Sequence, residues 1–351
     1  MSSRIATIDL GTNTILLLVV ELNDDGTFVV LTDRAEIARL GEGVDRTRSL
    51  SAAGVERALE VLREYVHTCR NLGVDEVTAA GTSALRDALN AKSFLARLKH
   101  ELNLDLRVLS GREEAAYSYL AVEKGLHLDA KDVLVVDVGG GSTEFIWASD
   151  GELHGLASLD LGSVRLTERY LPSDPARKEE CEQVIRVVDQ SVNKLLADWG
   201  VLRQAQDRLL RQAQDMALRQ VQGESSRPAG GESRRTAMVG IAGTFTTLSA
   251  VQKGLAHYSH SEVHGSRLSR AEVERQVELY RGKTVAERKQ IAGLEPKRAD
   301  VILAGALAIE RIMKLFGIDE AIVSDQGIRY GLLYEKIAAS RRRSAVSKEN
   351  N

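Results

Sequence analysis

The chain has 351 residues, of which 43% are hydrophobic, and 47 Lys and Arg stand against 50 Asp and Glu for a formal net charge of −3. That balance excludes a general attraction to nucleic acid or anionic membrane, so an anionic substrate needs a locally positive pocket. Cys69 and Cys181 lack metal or redox spacing, as in a reduced cytosolic protein. The longest apolar run, Ile15 to Val20, is too short to span a bilayer, and the first residues hold no signal-peptide hydrophobic region. The expectation is a cytoplasmic protein with no nucleic-acid or membrane partner.

In chain order, Arg4–Asp9, Thr14–Glu21 and Thr27–Asp33 read as three strands joined by Gly-Thr-Asn and Asp-Gly turn chemistry. Ser51 opens an amphipathic helix with Val55, Leu59, Leu62, Val66 and Cys69 at helical spacing, ending near Gly73. A strand over Val74–Ala80, a helix over Asp87–Leu102, a strand over Leu104–Leu109 and a helix from Gly111 to Gly125 follow. Asp132–Asp137, Thr143–Ala148 and Glu152–Leu159 then repeat the opening, and a long charged helix runs from about Pro175 to Trp199. The remainder reads as strand Thr236–Ala242, helices Thr244–Gly254, Arg270–Gly282 and Pro296–Phe316, strand Glu320–Ser324 and helix Gly327–Ala339. Helices between strands predict crossovers and partly parallel sheets, an α/β protein. The spacing predicts two domains, 1–128 and 129–340, with the last helix able to return to the first. An eight-residue repeat from Leu202, continuing into Gly/Ser/Pro/Arg-rich sequence, marks 203–235 as a low-complexity insertion.

The strand–turn signature occurs twice, as Ile8-Asp9-Leu10-Gly11-Thr12-Asn13-Thr14 and as Val136-Asp137-Val138-Gly139-Gly140-Gly141-Ser142-Thr143-Glu144. Glycine lets backbone approach a phosphate, and Thr12, Asn13 and Ser142 add polar groups. Three glycines inside a β-rich run are costly for folding unless a ligand needs the backbone bare. Asp137 and Glu144 flank them, and Asp9 ends the first strand, where carboxylates beside a phosphate turn suit magnesium. Two such hairpins facing each other make a cleft for a metal-bound polyphosphate chain. Gly240-Ile241-Ala242-Gly243-Thr244 adds a strand-to-helix turn whose N–H groups favour an anion. Gly81-Thr82-Ser83-Ala84-Leu85-Arg86 supplies a hydroxyl at Ser83 and a guanidinium at Arg86 fit for a phosphate. Ser110-Gly111-Arg112-Glu113-Glu114-Ala115 starts a helix just before the Asp137 strand. His257, His260 and His264 have loose metal spacing without a nearby acid cluster, and zinc is the weaker reading there.

In order and combination, these motifs and Leu159-Asp160-Leu161-Gly162-Ser163-Val164-Arg165 resemble the exopolyphosphatase/guanosine pentaphosphate phosphohydrolase (Ppx/GppA) family. That family lies in the actin-like, sugar-kinase and heat-shock ATPase superfamily. The likeness covers nearly the whole chain apart from the insertion. It implies two ribonuclease-H-like (actin-like ATPase) domains with an interdomain cleft. It also implies roles: Glu114 as the base that deprotonates the attacking water, and Asp9, Asp137 and Glu144 as magnesium ligands, with Glu144 also acting on the water. Gly11 to Asn13, Gly139 to Ser142 and Gly243-Thr244 match the phosphate turns, with Ser83 and Arg86 beside them. Thr12 and Thr14 stand where family members usually carry serines, and the chain stops soon after the second domain, whereas long members add a helical region.

The leading expectation is a magnesium-dependent exopolyphosphatase that releases terminal phosphate. The alternatives are removal of the 5′ γ-phosphate of guanosine pentaphosphate, a non-catalytic nucleotide or alarmone sensor, and a sugar or acetate kinase. A homodimer is possible, although no residue argues for one.

Overall fold

A computed structural model describes residues 3–23, 25–200 and 236–349. The repeat and the low-complexity stretch read at 203–235 lie outside the described residues. Two sheets organise the chain. The first contains β1 (Ser3–Leu10), β2 (Thr14–Leu22), β3 (Phe28–Ile37), β4 (Glu76–Gly81) and β5 (Leu106–Val108) in the order β3-β2-β1-β4-β5. The second contains β6 (Asp132–Val138), β7 (Thr143–Ser149), β8 (Glu152–Leu159), β9 (Thr236–Ile241), β10 (Arg267–Ser269) and β11 (Glu320–Val323) in the order β10-β11-β9-β6-β7-β8.

In both sheets an antiparallel three-stranded meander comes first, and parallel strands are added on the side of its first strand. β4 pairs parallel to β1, and β9 parallel to β6. The parallel additions need crossover helices, and those helices cover the sheets. α1 (Ala52–Asn71) is capped by Ser51, whose Oγ accepts from the Gly54 N–H at 3.1 Å. With α2 (Ala91–Leu102), it packs Leu59, Leu62, Tyr65, Phe94 and Leu98 onto Ile8, Leu10, Ile15 and Leu17.

α3 (Gly111–Gly125) starts with a complete capping box between Ser110 and Glu113. α4 (Ser163–Tyr170), α5 (Lys178–Asp198), α6 (Ala242–Lys253), α7 (Arg270–Arg281), α8 (Ile302–Phe316) and α9 (Ile328–Glu349) complete the longer helices. α8 is buried at every position from Ile302 to Ile309, which matches its nearly unbroken apolar sequence.

Two helices cross between the sheets. α3 belongs to the first half of the chain, yet its Ala115 and Val122 pack with Val133, Val135 and Ile146 of the second sheet. α9 closes the second half, yet its Tyr330, Leu333 and Ile337 pack with Ile5, Leu18 and Val20 of the first. The two helices meet at Gly331, where a Cβ would stand 2.2 Å from the Tyr117 carbonyl oxygen, so only glycine admits this approach.

Three expectations differ in detail. The helix read over Asp87–Leu102 is two pieces, Ser83–Asp87 and α2, because Ala88 leaves the first in an extended conformation. The helix read from Pro296 is a 3₁₀ turn, Pro296–Arg298, followed by α8. α4 and the three-residue strand β10 were not foreseen. Among the described residues, no helix is long and apolar enough to cross a membrane.

The return of α9 is fixed by charge as well as apolar area. Arg329 grips Asp33 of β3 through two hydrogen bonds, at 2.9 and 3.0 Å, and the Tyr330 hydroxyl donates to the same carboxylate at 3.0 Å. Both members of the ion pair are at most 7% exposed. Removing one partner strands the other charge in a site that excludes water. Asp33→Ala is therefore expected to destabilise the protein by about 3–5 kcal/mol, read as a lower urea midpoint; a shift within error of the wild type would contradict this account.

Candidate active site

The site is built from equivalent places in the two sheets. Asp9 is the penultimate residue of β1 and Asp137 the penultimate residue of β6, each just before its glycine turn. The turns close alike: the Gly11 N–H donates to the Thr14 carbonyl at 3.0 Å, and the Gly139 N–H to the Ser142 carbonyl at 3.1 Å. Across the second hairpin, Asp137 pairs in register with Glu144, and Glu144 with Ser158 of β8. Strand pairing thus sets both acids side by side, and the Ser158 hydroxyl donates to Glu144 Oε1 at 2.7 Å.

Glu114 enters from the first turn of α3. Because α3 lies on the second sheet, its buried carboxylate reaches the same region as Asp9, Asp137 and Glu144. Arg86 Nη1 lies 2.8 Å from Glu114 Oε1 and also donates to the Leu109 carbonyl at 2.8 Å. The Glu114 contact is an ion pair without hydrogen-bond alignment, since that oxygen has no aligned donor. Ser118, one helical turn after Glu114, donates to Asp137 Oδ2 at 3.1 Å.

Crowding four carboxylates out of water raises their proton affinities. Burial first, and then the fields of Glu114 and Asp137, push Asp9 up to about 7. Burial and Glu114 do the same to Asp137, also to about 7, against a smaller lowering by the Ser118 bond. Glu144 is raised well above the usual range by burial, Glu114 and Asp137. Burial raises Glu114 too, while Arg86 pulls it back.

The glycine turns are closer to one another than the sequence suggested. Thr12 and Ser83 share a 2.8 Å hydroxyl–hydroxyl bond, and a Cβ on Gly141 would stand 2.5 Å from Ser83 Oγ. Gly140 likewise meets Thr12, so part of the bareness at Gly140 and Gly141 serves contact between the two turns. Asn13 accepts from the Ala38 and Arg39 N–H groups through its carbonyl, and its Nδ2 is buried without a partner. Ser142 is buried beside Glu144. Thr244 spends its hydroxyl on the Val138 carbonyl at 3.0 Å, tying α6 to β6. Gly243 faces the guanidinium of Arg298.

Several groups here were given no role in the sequence reading, although Arg165 lies in the Leu159–Arg165 motif. Arg298 donates to Thr14 Oγ1 at 3.1 Å and so spans the two turns that Thr14 and Gly243 belong to. Arg165 donates to the Gly141 carbonyl at 2.7 Å and pairs with Asp45 and Asp87 from the first half. Ser118 had a signal, its position four residues after Glu114 on a helix. Arg298 had none, because its partners are about 55 and 284 residues away.

A divalent cation fits this donor set. Asp9 Oδ1 is buried with no hydrogen-bond partner among the described residues, and the charges of Glu114 and Asp137 act on it. No three His, Cys, Asp or Glu among the described residues stand close enough to cage an ion. Magnesium does not require such a cage, since it commonly takes one or two carboxylates, several waters and substrate phosphate oxygens. The histidines instead share one acid remote in sequence: His260 Nδ1 lies 2.5 Å from Asp325 Oδ2, and His264 Nδ1 3.0 Å from Oδ1.

These proton affinities set a pH dependence. Asp9 and Asp137 ionise near 4 when unfolded but near 7 when folded, so the fold is favoured below the lower value and loses that advantage as pH rises through about 7. In chelator, melting temperature is expected to fall between about pH 4 and 7 and to level off above, and Asp9→Asn/Asp137→Asn is expected to flatten the decline. Equal slopes for the two proteins would refute the assignment.

A profile of the Ppx/GppA phosphatase family matches residues 19–209 and 202–340. Exopolyphosphatase 2 of Mycobacterium tuberculosis is 32% identical over 342 residues, covering 94% of this chain and 97% of that protein. A bifunctional 3-dehydroquinate synthase/phosphatase of Fusobacterium nucleatum is 28% identical over 95% of this chain, which spans 46% of that longer protein. Among solved structures, the Aquifex aeolicus member of the Ppx/GppA family superposes with a TM-score of 0.73 at 29% identity, covering 97% of this chain and 99% of that one. This chain belongs to the Ppx/GppA phosphatase family.

Proposed function

We propose that this protein is a magnesium-dependent exopolyphosphatase that hydrolyses the terminal phosphoanhydride bond of inorganic polyphosphate. The observation that carries the reading is the meeting of Glu114 with Asp9, Asp137 and Glu144 between two glycine turns that close in the same way. The relative with 97% coverage is an exopolyphosphatase by name, which supports polyphosphate as the substrate.

The chemistry is an in-line displacement. A water oxygen bonds to the terminal phosphorus, the bridging P–O bond breaks, and the shortened chain leaves with that bond's electron pair. Glu114 takes the proton from the water. Arg86 opposes the effect of burial on Glu114 and so keeps a carboxylate available to accept it. Asp137 is held by Ser118 and Glu144 by Ser158, which fixes the acids on the opposite wall. One or two carboxylates of the Asp9, Asp137 and Glu144 group would hold the magnesium ion, together with water and phosphate oxygens. When bound, it neutralises phosphate charge and stabilises the charge that develops in the transition state. In this reading the turns Gly11 to Asn13, Gly139 to Ser142 and Gly243-Thr244 face the phosphoryl oxygens, with Ser83 and Arg298 alongside, and the N–H groups of Gly11 and Gly139 close their own turns and are not donors to the ligand.

Glu114→Gln keeps the volume of the side chain and removes the base. Phosphate release from polyphosphate is expected to fall about 10²–10⁴-fold in kcat, while polyphosphate still binds. Unchanged kcat would remove Glu114 from the role of base. The same assay with guanosine pentaphosphate and with ATP plus acceptor sugar reads the competing activities, and faster turnover of either would displace polyphosphate as the substrate.

A further inference from the structure

The short helix His260–Val263, capped by Ser259, brings two imidazoles to one carboxylate. His260 Nδ1 lies 2.5 Å from Asp325 Oδ2, and His264 Nδ1 lies 3.0 Å from Asp325 Oδ1. The Asp325 side chain is only 6% exposed. His264 also reaches a second partner. Its Nε2 stands 3.1 Å from the carbonyl oxygen of Gly125, the last residue of α3. Gly125 in turn adjoins the side chain of Gln326, which follows Asp325 and lies two residues before α9. His264 therefore stands where the end of α3 meets the entrance to α9.

Both partners are acceptors, one a carbonyl and one a carboxylate. To bond them together, both ring nitrogens of His264 must carry protons, which is the imidazolium form. A neutral ring protonated at Nε2 would turn a lone pair toward Asp325, and one protonated at Nδ1 would turn it toward the Gly125 carbonyl. The Ser324 hydroxyl lies farther from Nδ1, at 3.4 Å, and also donates to the Gln326 carbonyl at 3.3 Å. It is a poor replacement for the carboxylate.

The surrounding charges leave the histidines as the titrating members of this cluster. Asp325 is the charge that acts on His264, while Asp33 of β3 and Arg329 of α9 also act on His260. Asp33 is taken up by Arg329 and by the Tyr330 hydroxyl. Lys253 of α6 pairs with Glu262 of the short helix, Lys124 of α3 with Glu123, and Arg267 of β10 with Glu320 of β11. Tyr258 sets its ring edge-on to His260, with centroids 5.1 Å apart. Burial pushes the Tyr258 and Tyr330 phenols up, so neither ionises near neutral pH.

We infer that the His264 imidazolium is a pH-sensitive clip that fastens the C-terminal end of α3 to the segment leading into α9. Losing one proton costs the clip one of its two bonds, so the two helix ends are released from each other. The Asp325 bond raises the proton affinity of His264 against the opposing effect of burial. The stabilisation is then complete below the ordinary histidine value of about 6.5 and is lost as pH rises through the higher folded value. α3 carries Glu114 in its first turn and Ser118 one turn later, so the clip couples ambient pH to how firmly that helix is held. It does not depend on which phosphoanhydride the protein cleaves, and its test needs no substrate.

The histidine rings of the full chain are followed by NMR in chelator from about pH 5 to 9, with His264→Gln identifying the His264 signals. That ring is expected to titrate above about 6.5. Amide hydrogen exchange in the last turn of α3, residues 122–125, is read on the same samples and corrected for the intrinsic effect of pH. Wild-type protection there is expected to fall about tenfold as pH passes the His264 midpoint, the step that losing one charge-assisted hydrogen bond produces. His264→Gln is expected to show the low protection throughout, without a step. His260→Gln keeps the bond to Gly125 and is expected to keep the step. A His264 midpoint at or below about 6.5 overturns the clip. So does an equal fall in protection with and without His264, which would assign the fall to the acids at the other end of α3. Should His264→Gln fail to fold, the wild type alone decides: the exchange step and the ring midpoint must coincide, and a step at another pH refutes the inference.

Discussion

Four buried carboxylates around one small volume repel each other, and much of the molecule is arranged to keep them there. Asp9 and Asp137 come from strands of different sheets, Glu144 from the partner strand of Asp137, and Glu114 from a helix. No single element could hold them so close, because the charges would push a flexible loop apart. Rigid strand ends and a capped helix can, since displacing one acid means breaking ladder hydrogen bonds or the Ser110–Glu113 capping box. Serines at positions 118 and 158, with Arg86, supply the favourable contacts that partly offset the repulsion. The remaining excess of negative charge is what a cation with phosphate-bound oxygens would relieve.

Around those acids, several ion pairs join the two halves of the chain. Arg165 links Gly141 to Asp45 and Asp87, Arg39 reaches Asp300, and Arg329 grips Asp33. His260 and His264 converge on the buried carboxyl of Asp325, which lies three residues before α9 begins its return. The Asp325 bonds raise the proton affinity of both imidazoles, and the same contacts hold that carboxyl below its ordinary range. Ion pairs of this kind fix register and orientation more than they add stability, which suits a cleft whose two walls must meet in one alignment.

The sequence was most informative where local chemistry and period coincide. The two meanders, the Ser51 cap, α3 to the residue and the twin turns were all legible, because alternation, Asp-Gly turns and capping residues act within a few positions. The fold expectation of two α/β halves facing a cleft matches the two sheets and the solved Ppx/GppA relative. β10, at three residues, is too short to show alternation, and the eight-residue α4 was missed although it spans two helical turns. In the site, glycines and acids stood out as residue types, whereas Arg298, Arg165 and Asp325 act through partners far along the chain. The histidines show the limit well: read alone, they lacked an acid, and Asp325 supplies one from about 60 residues away.

The crossing of α3 and α9 has a consequence for how this chain can be cut or rearranged. Each half of the sequence lends the other a helix, and each sheet packs apolar residues against the helix lent to it. Expressed separately, the front half would present Ile5, Leu18 and Val20 to water, and the back half Val133, Val135 and Ile146. Neither fragment is then a self-sufficient folding unit, and a genetic split between them should yield insoluble pieces that regain shape only on co-expression. Hinge motion across the cleft is accordingly limited to what two interlocked helices permit.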